Sequence, residues 1–78
     1  MPKIVLPDLG EGIQDATIAC WHFQQGDRVN ANADVVELVT DKASFNVPAG
    51  SSGILKQVFY KEGDRVKIGE ILAMIEDR

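Results

Sequence analysis

One cysteine, Cys20, is all that this 78-residue chain offers, so no intrachain disulfide can staple it. No Cys/His cluster with metal-ligand spacing takes its place, and no metal centre is expected. Basic residues are few: eight Lys and Arg, scattered along the chain, against twelve Asp and Glu, for a net charge of −4. A nucleic-acid binder would carry a basic face, so that class is excluded. No stretch reaches the roughly 18 apolar residues of a membrane-spanning helix. The start, MPKIVLPDLG, lacks a basic segment followed by an apolar run, and no signal peptide is expected. These absences point to a cytoplasmic protein or a cytoplasmic piece of one, monomeric as a domain. No segment carries a long helical period. The length allows one domain, residues 1–78. A domain this small buries only roughly 60% of its unfolded surface, so β pairing and a compact apolar core must supply its stability.

What is present is a repeat. FQQGDRV at 23–29 returns as YKEGDRV at 60–66, an offset of 37 from Gly26 to Gly63. With one residue of slippage, DVVELVTDK (34–42) lies against EILAMIEDR (70–78). Two copies are too few for a solenoid; each is too short to hide its own apolar face, so the halves are expected to interlock. KIVL (3–6), TIACWHF (17–23), VVELVT (35–40), ASFNV (43–47), GILKQVFY (53–60) and EILAMIE (70–76) read as short strands, and the two DRV pieces as candidates for more. PDLGEG, QQGD, PAGSSG, KEGD and KIGE separate them as turns. The expected fold is all-β: a flattened barrel or sandwich of two sheets, each of about four short strands, with quasi-two-fold symmetry.

At the centre, LVTDKASFNV (38–47) reads as a hairpin with an unusual tip. Two-residue turns favour Asn-Gly or Asp-Gly, because they need φ > 0; here the tip is Asp41-Lys42. With that turn, Thr40 faces Ala43, Leu38 faces Phe45 and Val36 faces Val47 on an apolar inner face. Val39 then meets Ser44, and Glu37 meets Asn46, on a mostly polar outer face. A slip of one residue would invert every side chain, so the pattern supports this register. Leu38 and Phe45 are expected as buried neighbours beneath the tip. A type I turn accepts most residues, and Lys42 then projects into solvent at the apex. The slipped repeat aligns Lys42 with Arg78, which places the chain's exit and the Lys42 tip at opposite ends. An Asp-Lys dipeptide alone is an ordinary solvated turn; its place in the repeat is what singles it out.

Cys20 and His22 alternate on one strand. Two ligands make no zinc site, and a catalytic cysteine would need partners that are not found, so both read as ordinary strand residues. Trp21 and Phe23 share the opposite face and read as core. No acid–base or nucleophile constellation is visible, and the chain is not expected to be an enzyme on its own.

The sequence resembles the lipoyl domains of dihydrolipoamide acyltransferases, components of 2-oxo acid dehydrogenase complexes. The matching residues are LPDLGEGI (6–13), GDRV twice, TDKA (40–43), VPA (47–49) and GDRVKIGEIL (63–72). In this order and spacing they cover nearly the whole chain. The resemblance implies that Lys42 carries lipoic acid in amide linkage, as a swinging arm. A thiamine-diphosphate 2-oxo acid decarboxylase would reductively acylate the arm. The acyltransferase core would pass the acyl group to coenzyme A, and a flavin-dependent dihydrolipoyl dehydrogenase would reoxidise the arm. A lipoylating enzyme must first modify the lysine. The resemblance also marks Asp41, Ala43 and the Asp8–Asp15 loop, with Gly10, Glu11 and Gly12, as a recognition surface for the decarboxylase; a purely solvated loop is the other reading. It implies a longer multidomain acyltransferase from which residues 1–78 are a piece, in the cytoplasm, or in the mitochondrial matrix of a eukaryote. The pyruvate complex is the first expectation and the branched-chain complex the second.

One position departs from the family. Many members have Glu three residues before the lysine, where this chain has Val39. The register puts Val39 on the outer face, so the departure bears on partner recognition rather than on folding. Two rival functions stay open: a biotinyl carrier domain, and an unmodified lipoyl-like structural module. Biotinyl domains typically flank their lysine with Met, and Asp41 and Ala43 stand here instead. Structural modules of this type lack the tip lysine and usually carry a long helical insertion.

Overall fold

The computed structural model describes residues 1–10 and 12–77. It holds eight strands: β1 (Lys3–Val5), β2 (Asp15–Trp21), β3 (Arg28–Val29), β4 (Asp34–Val39), β5 (Ser44–Pro48), β6 (Gly53–Val58), β7 (Arg65–Lys67) and β8 (Ile71–Glu76). Both DRV pieces are strands, β3 and β7. All pairings are antiparallel, in two four-stranded sheets ordered β1-β8-β6-β3 and β5-β4-β2-β7. Among the described residues there is no helix, and hence none long and apolar enough to cross a membrane.

The halves interlock by exchanging their shortest strands. β3, from the first half, closes the sheet that holds β6 and β8 of the second, and β7 closes the one that holds β2 and β4 of the first. The Gly-Asp turns before them act as clasps. Gly26 N–H donates to the Leu55 carbonyl (2.7 Å), and Leu55 N–H donates back to the Asp27 carbonyl (2.8 Å). Thirty-seven residues on, Gly63 N–H donates to Ile18 O (2.9 Å) and Ile18 N–H to Asp64 O (2.8 Å). Each aspartate also accepts from the backbone three residues earlier: Asp27 Oδ2 from Gln24 N–H at 2.8 Å, and Asp64 Oδ2 from Lys61 N–H at 2.9 Å. The glycines sit at φ of 100° and 93°, which only Gly adopts without strain. This geometry is the reason that GDRV occurs twice.

The symmetry departs from the expected alignment in one respect. The slip of one residue does not occur, and the offset of 37 continues through the last strand, β4 at Asp34–Val39 matching β8 at Ile71–Glu76. Val35, Val36 and Leu38 correspond to Leu72, Ala73 and Ile75, all fully buried. Matching charges at 41–42 and 77–78 favour the slipped alignment by eye, but burial sets the register. Arg78 lies outside the described residues. β8 finishes at Glu76, whose carbonyl lies against Gly53, and the placing of the chain's exit opposite the tip falls outside the described residues.

Between the sheets lies one apolar core, with Leu6, Ile18, Val29, Val35, Val36, Leu38, Leu55, Val66, Leu72 and Ile75 almost wholly buried. A bulge in β2 makes this possible. Ile18 pairs with Leu38, yet Cys20 pairs with Glu37, so Ala19 is the extra residue. Ala16 and Ile18 point inward before it; Trp21 and Phe23 pack against the core after it, and Cys20 and His22 face outward. Trp21 Nε1–H donates to the Tyr60 carbonyl at 3.0 Å. β6 repeats the bulge between Leu55 and Gln57. At Gly53 an added Cβ would run into the Glu76 carbonyl and the Ile75 side chain. Gly53→Ala is therefore expected to cost about 1–3 kcal/mol, as overpacking does, while exposed Gln57→Ala stays within about 0.5 kcal/mol. Urea melts of the pair check this; equal midpoints would mean that β8 does not close on Gly53.

Candidate functional site

The hairpin register is the expected one: Val36 pairs with Val47, Glu37 with Asn46, Leu38 with Phe45 and Val39 with Ser44. Phe45 is a correction. It opposes Leu38 but is only half-buried, because β5 is the edge strand of its sheet and has a neighbour on one side alone.

At the tip, Thr40 N–H donates to the Ala43 carbonyl at 2.9 Å and closes the two-residue turn. No described residue other than glycine has φ > 0. That excludes the hairpin turns that two-residue loops favour. The Thr40 side chain stabilises this less favoured turn. Its Oγ1 accepts from the N–H groups of Lys42 and Ala43, both at 3.1 Å, and donates to the Ala43 carbonyl at 3.1 Å. A threonine opening the turn is the signal in the sequence that would have found this, since Ser and Thr hydroxyls bond to turn backbone. Asp41, Lys42 and Ala43 are exposed, and the Lys42 ammonium has no hydrogen-bond or ion-pair partner among the described residues. The tip thus fixes the lysine backbone and leaves its amine free.

The loop before β2 lies beside this amine. Leu6, almost wholly buried, anchors its start. Gly10 N–H donates to Asp8 Oδ1 at 3.0 Å and Ile13 N–H to the Gly10 carbonyl at 3.2 Å, folding the loop on itself. Gly12, at φ 85°, comes so near that an added Cβ would sit 3.6 Å from Lys42 Nζ. The structure therefore brings Gly12 to the lysine, with Gly10 as a turn residue two positions away; Glu11 lies outside the described residues. On the tip's flank, Asp15, Ala16, Thr17, Val39, Thr40, Asp41 and Arg65 line a groove of about 490 Å³. Val39 is 37% exposed there, on the outer face as expected. Arg65 Nε stands 4.0 Å from Asp15 Oδ1. Arg65 comes from the other half of the repeat, and nothing in the sequence pairs it with the tip.

Cys20 and His22 gain partners from neighbouring strands. Cys20 Sγ lies 3.7 Å from Glu37 Oε1, and His22 Nε2 lies 3.0 Å from Asn46 Oδ1. Burial first, and the Glu37 carboxylate second, push the Cys20 thiol above its ordinary range. These residues face away from the core on the outer side of the β2–β4–β5 sheet.

A symmetric double sheet with a free lysine at a rigid hairpin apex defines a domain of the prosthetic-group attachment type. The chain belongs to the biotin/lipoyl attachment family: the model of that family, described as "Biotin-requiring enzyme", matches residues 2–75. Within the family it is a lipoyl domain. It is similar to the lipoyl domain of the 2-oxoglutarate dehydrogenase complex from Azotobacter vinelandii, with a TM-score of 0.80 and 32% identity over 99% of this chain and 98% of that one. The corresponding Escherichia coli domain, from the dihydrolipoyl succinyltransferase component, gives 0.78 and 40% over 99% and 96%. Among curated proteins, the dihydrolipoyllysine-residue succinyltransferase component of the 2-oxoglutarate dehydrogenase complex of Staphylococcus saprophyticus is 39% identical over 96% of the chain. The lipoamide acyltransferase component of the branched-chain alpha-keto acid dehydrogenase complex of Bacillus subtilis is 32% identical over 95%. The chain spans 18% of the length of each of these two proteins.

Proposed function

We propose that this chain is a lipoyl carrier domain of a 2-oxo acid dehydrogenase complex, with the Lys42 ε-amine as its attachment point. The observation that carries this reading is an exposed amine, without a partner among the described residues, on a turn whose backbone is held by Thr40. The fit to lipoic acid is good: the amine is free to form an amide, and Gly12 beside it has no side chain to obstruct the arm. When bound, the lipoyl group supplies a dithiolane that takes up an acyl group and two electrons and releases the acyl group to coenzyme A. The chain itself contributes presentation and tethering, which raises the arm's effective concentration at successive active sites. Four lysine methylenes add reach, and the hairpin keeps the attachment point in place.

The 2-oxo acid is proposed to be 2-oxoglutarate. The succinyltransferase relatives and both lipoyl-domain structures come from that complex. This replaces the expectation of pyruvate, and the branched-chain relative keeps the second place. Proposed partners are a lipoylating enzyme, the cognate decarboxylase, an acyltransferase core and dihydrolipoyl dehydrogenase, in the cytoplasm. The biotinyl alternative shares the architecture, as urea carboxylase of Kluyveromyces lactis does at a TM-score of 0.78; at 23% identity that likeness concerns the fold alone. Asp41 and Ala43 beside the lysine favour lipoate.

The test is incubation with a lipoylating enzyme, lipoate and ATP, followed by intact mass and peptide mapping. One adduct on Lys42 is expected; an adduct on Lys56 or Lys61, or a biotin adduct formed by a biotin ligase instead, would overturn the assignment. Use by the decarboxylase should need more than the arm. Replacing LGEGIQ (9–14) with a neutral loop of equal length is expected to leave lipoylation intact. Acylation by the cognate decarboxylase should fall about tenfold, or about 1.4 kcal/mol of lost recognition. Equal acylation of variant and parent, measured with labelled 2-oxo acid, would reduce the domain to a tether.

A further inference from the structure

We propose that Cys20, His22 and Glu37 form a binding site for a Zn2+-type cation on the outer face of the β2–β4–β5 sheet, apart from the lysine tip. They are the one group of three metal-ligating side chains that comes together among the described residues: a sulfur, an imidazole nitrogen and a carboxylate oxygen within 4.8 Å of one another. Zinc takes this donor set. With a Zn–S distance of about 2.3 Å and a Zn–O distance of about 2.1 Å, two ligands of a tetrahedral site stand about 3.6 Å apart. Cys20 Sγ and Glu37 Oε1 already stand 3.7 Å apart. His22 is exposed and its Nε2 is bonded to Asn46 Oδ1, so Nδ1 is the ring nitrogen left for the metal.

The backbone builds the set. The bulge at Ala19 turns Cys20 and His22 outward and places Cys20 directly opposite Glu37. Re-aiming a side chain is a recurrent use of bulges. His22 N–H donates to the Val35 carbonyl at 2.7 Å, which holds the strand beyond Trp21 in register. Asn46, paired with Glu37 on the next strand, puts Oδ1 3.0 Å from His22 Nε2. That carbonyl can take the ring's second N–H, the outer-shell role that orients a ligating imidazole. Three protein ligands leave a fourth position for water. Binding forms a metal–thiolate bond, breaks the S–H bond and releases that proton to solvent.

The unmodified 78-residue chain is the material for the test, because a reduced lipoyl arm would itself chelate metal. Titration with Co2+ as a spectroscopic probe is expected to show a thiolate charge-transfer band and tetrahedral ligand-field bands, both lost on adding Zn2+. Calorimetry with Zn2+ should give one ion per chain. Cys20→Ser, His22→Gln and Glu37→Gln should each weaken binding at least tenfold, with Asp77→Asn as the unaffected control. In the parent chain, Zn2+ should shield Cys20 from alkylation and shift the His22 ring resonances, a readout that needs no substitution. Absence of the thiolate band, equal affinity in parent and the three variants, or one metal bridging the cysteines of two chains would each overturn the site.

Discussion

Replacing Lys42 with glutamine is expected to abolish lipoylation and, with it, all acyl transfer from the decarboxylase. The mass of the variant should be unchanged after incubation with the lipoylating enzyme, lipoate and ATP. The effect is all-or-none because no other amine shares the setting: Lys56 lies along β6 and Lys61 in the turn before Asp64. Stability should stay within about 0.5 kcal/mol of the parent, since Lys42 is exposed and its side chain has no bonding partner among the described residues. An adduct that persisted in the variant would place the site elsewhere. Position matters as much as identity. One residue inserted on either side of Asp41-Lys42 displaces the amine by about 3.3 Å and breaks the three hydrogen bonds of Thr40 Oγ1. Such a variant should fold yet lose lipoylation, because the modifying enzyme reads where the amine is held. A fully modified insertion variant would show that the enzyme reads local sequence rather than the apex.

Leu38→Ala is expected to cost about 2–5 kcal/mol, the range for truncating a large buried side chain. Leu38 is fully buried beneath the tip, and the core around it is shared by both sheets. A domain of this size holds about 5 kcal/mol in total, so the variant should be largely unfolded at modest urea concentrations. Phe45→Ala, across the strand but half-buried at the sheet edge, should cost less. Glu37→Ala and Asn46→Ala, on the outer face, should each cost under about 0.5 kcal/mol. Urea melts giving the reverse order would put the hairpin register off by one. Loss of lipoylation in Leu38→Ala would then follow from unfolding, whereas in Lys42→Gln it occurs on an intact fold; circular dichroism separates the two.

The eight strands, the interlocked halves and the hairpin register were legible in the sequence because each rests on a short-range pattern. Alternation with period two places Leu38, Val36 and Val47 on one face whatever surrounds them, and Gly-Asp at two equivalent places marks two equivalent turns. The place of Lys42 was legible for a related reason: the register puts Asp41-Lys42 at the exposed apex of the hairpin. Where two patterns competed, the local one misled. Charged residues at 41–42 and 77–78 argued for a one-residue slip between the halves, whereas the buried triplets Val35-Val36-Leu38 and Leu72-Ala73-Ile75 hold the offset at 37. Phe45 follows the inner-face pattern but lies half-exposed, because alternation tells which face a residue takes and not whether its strand is an edge.

By itself, then, the sequence determined the fold class, the symmetry and the place of Lys42 at the hairpin tip. Tertiary structure alone decided what stands around them. Gly12 reaches Lys42 across thirty positions because its loop and the hairpin tip end at the same pole of the sandwich. Arg65 reaches the groove on the tip's flank because β7 crosses from one half to the other. Glu37 joins Cys20 because a bulge at Ala19 shifts the pairing by one residue. In each case the partners meet through strand order and register between distant segments. Those are settled by burying both sheets' apolar faces at once, a condition on the whole chain that no short stretch of it can express.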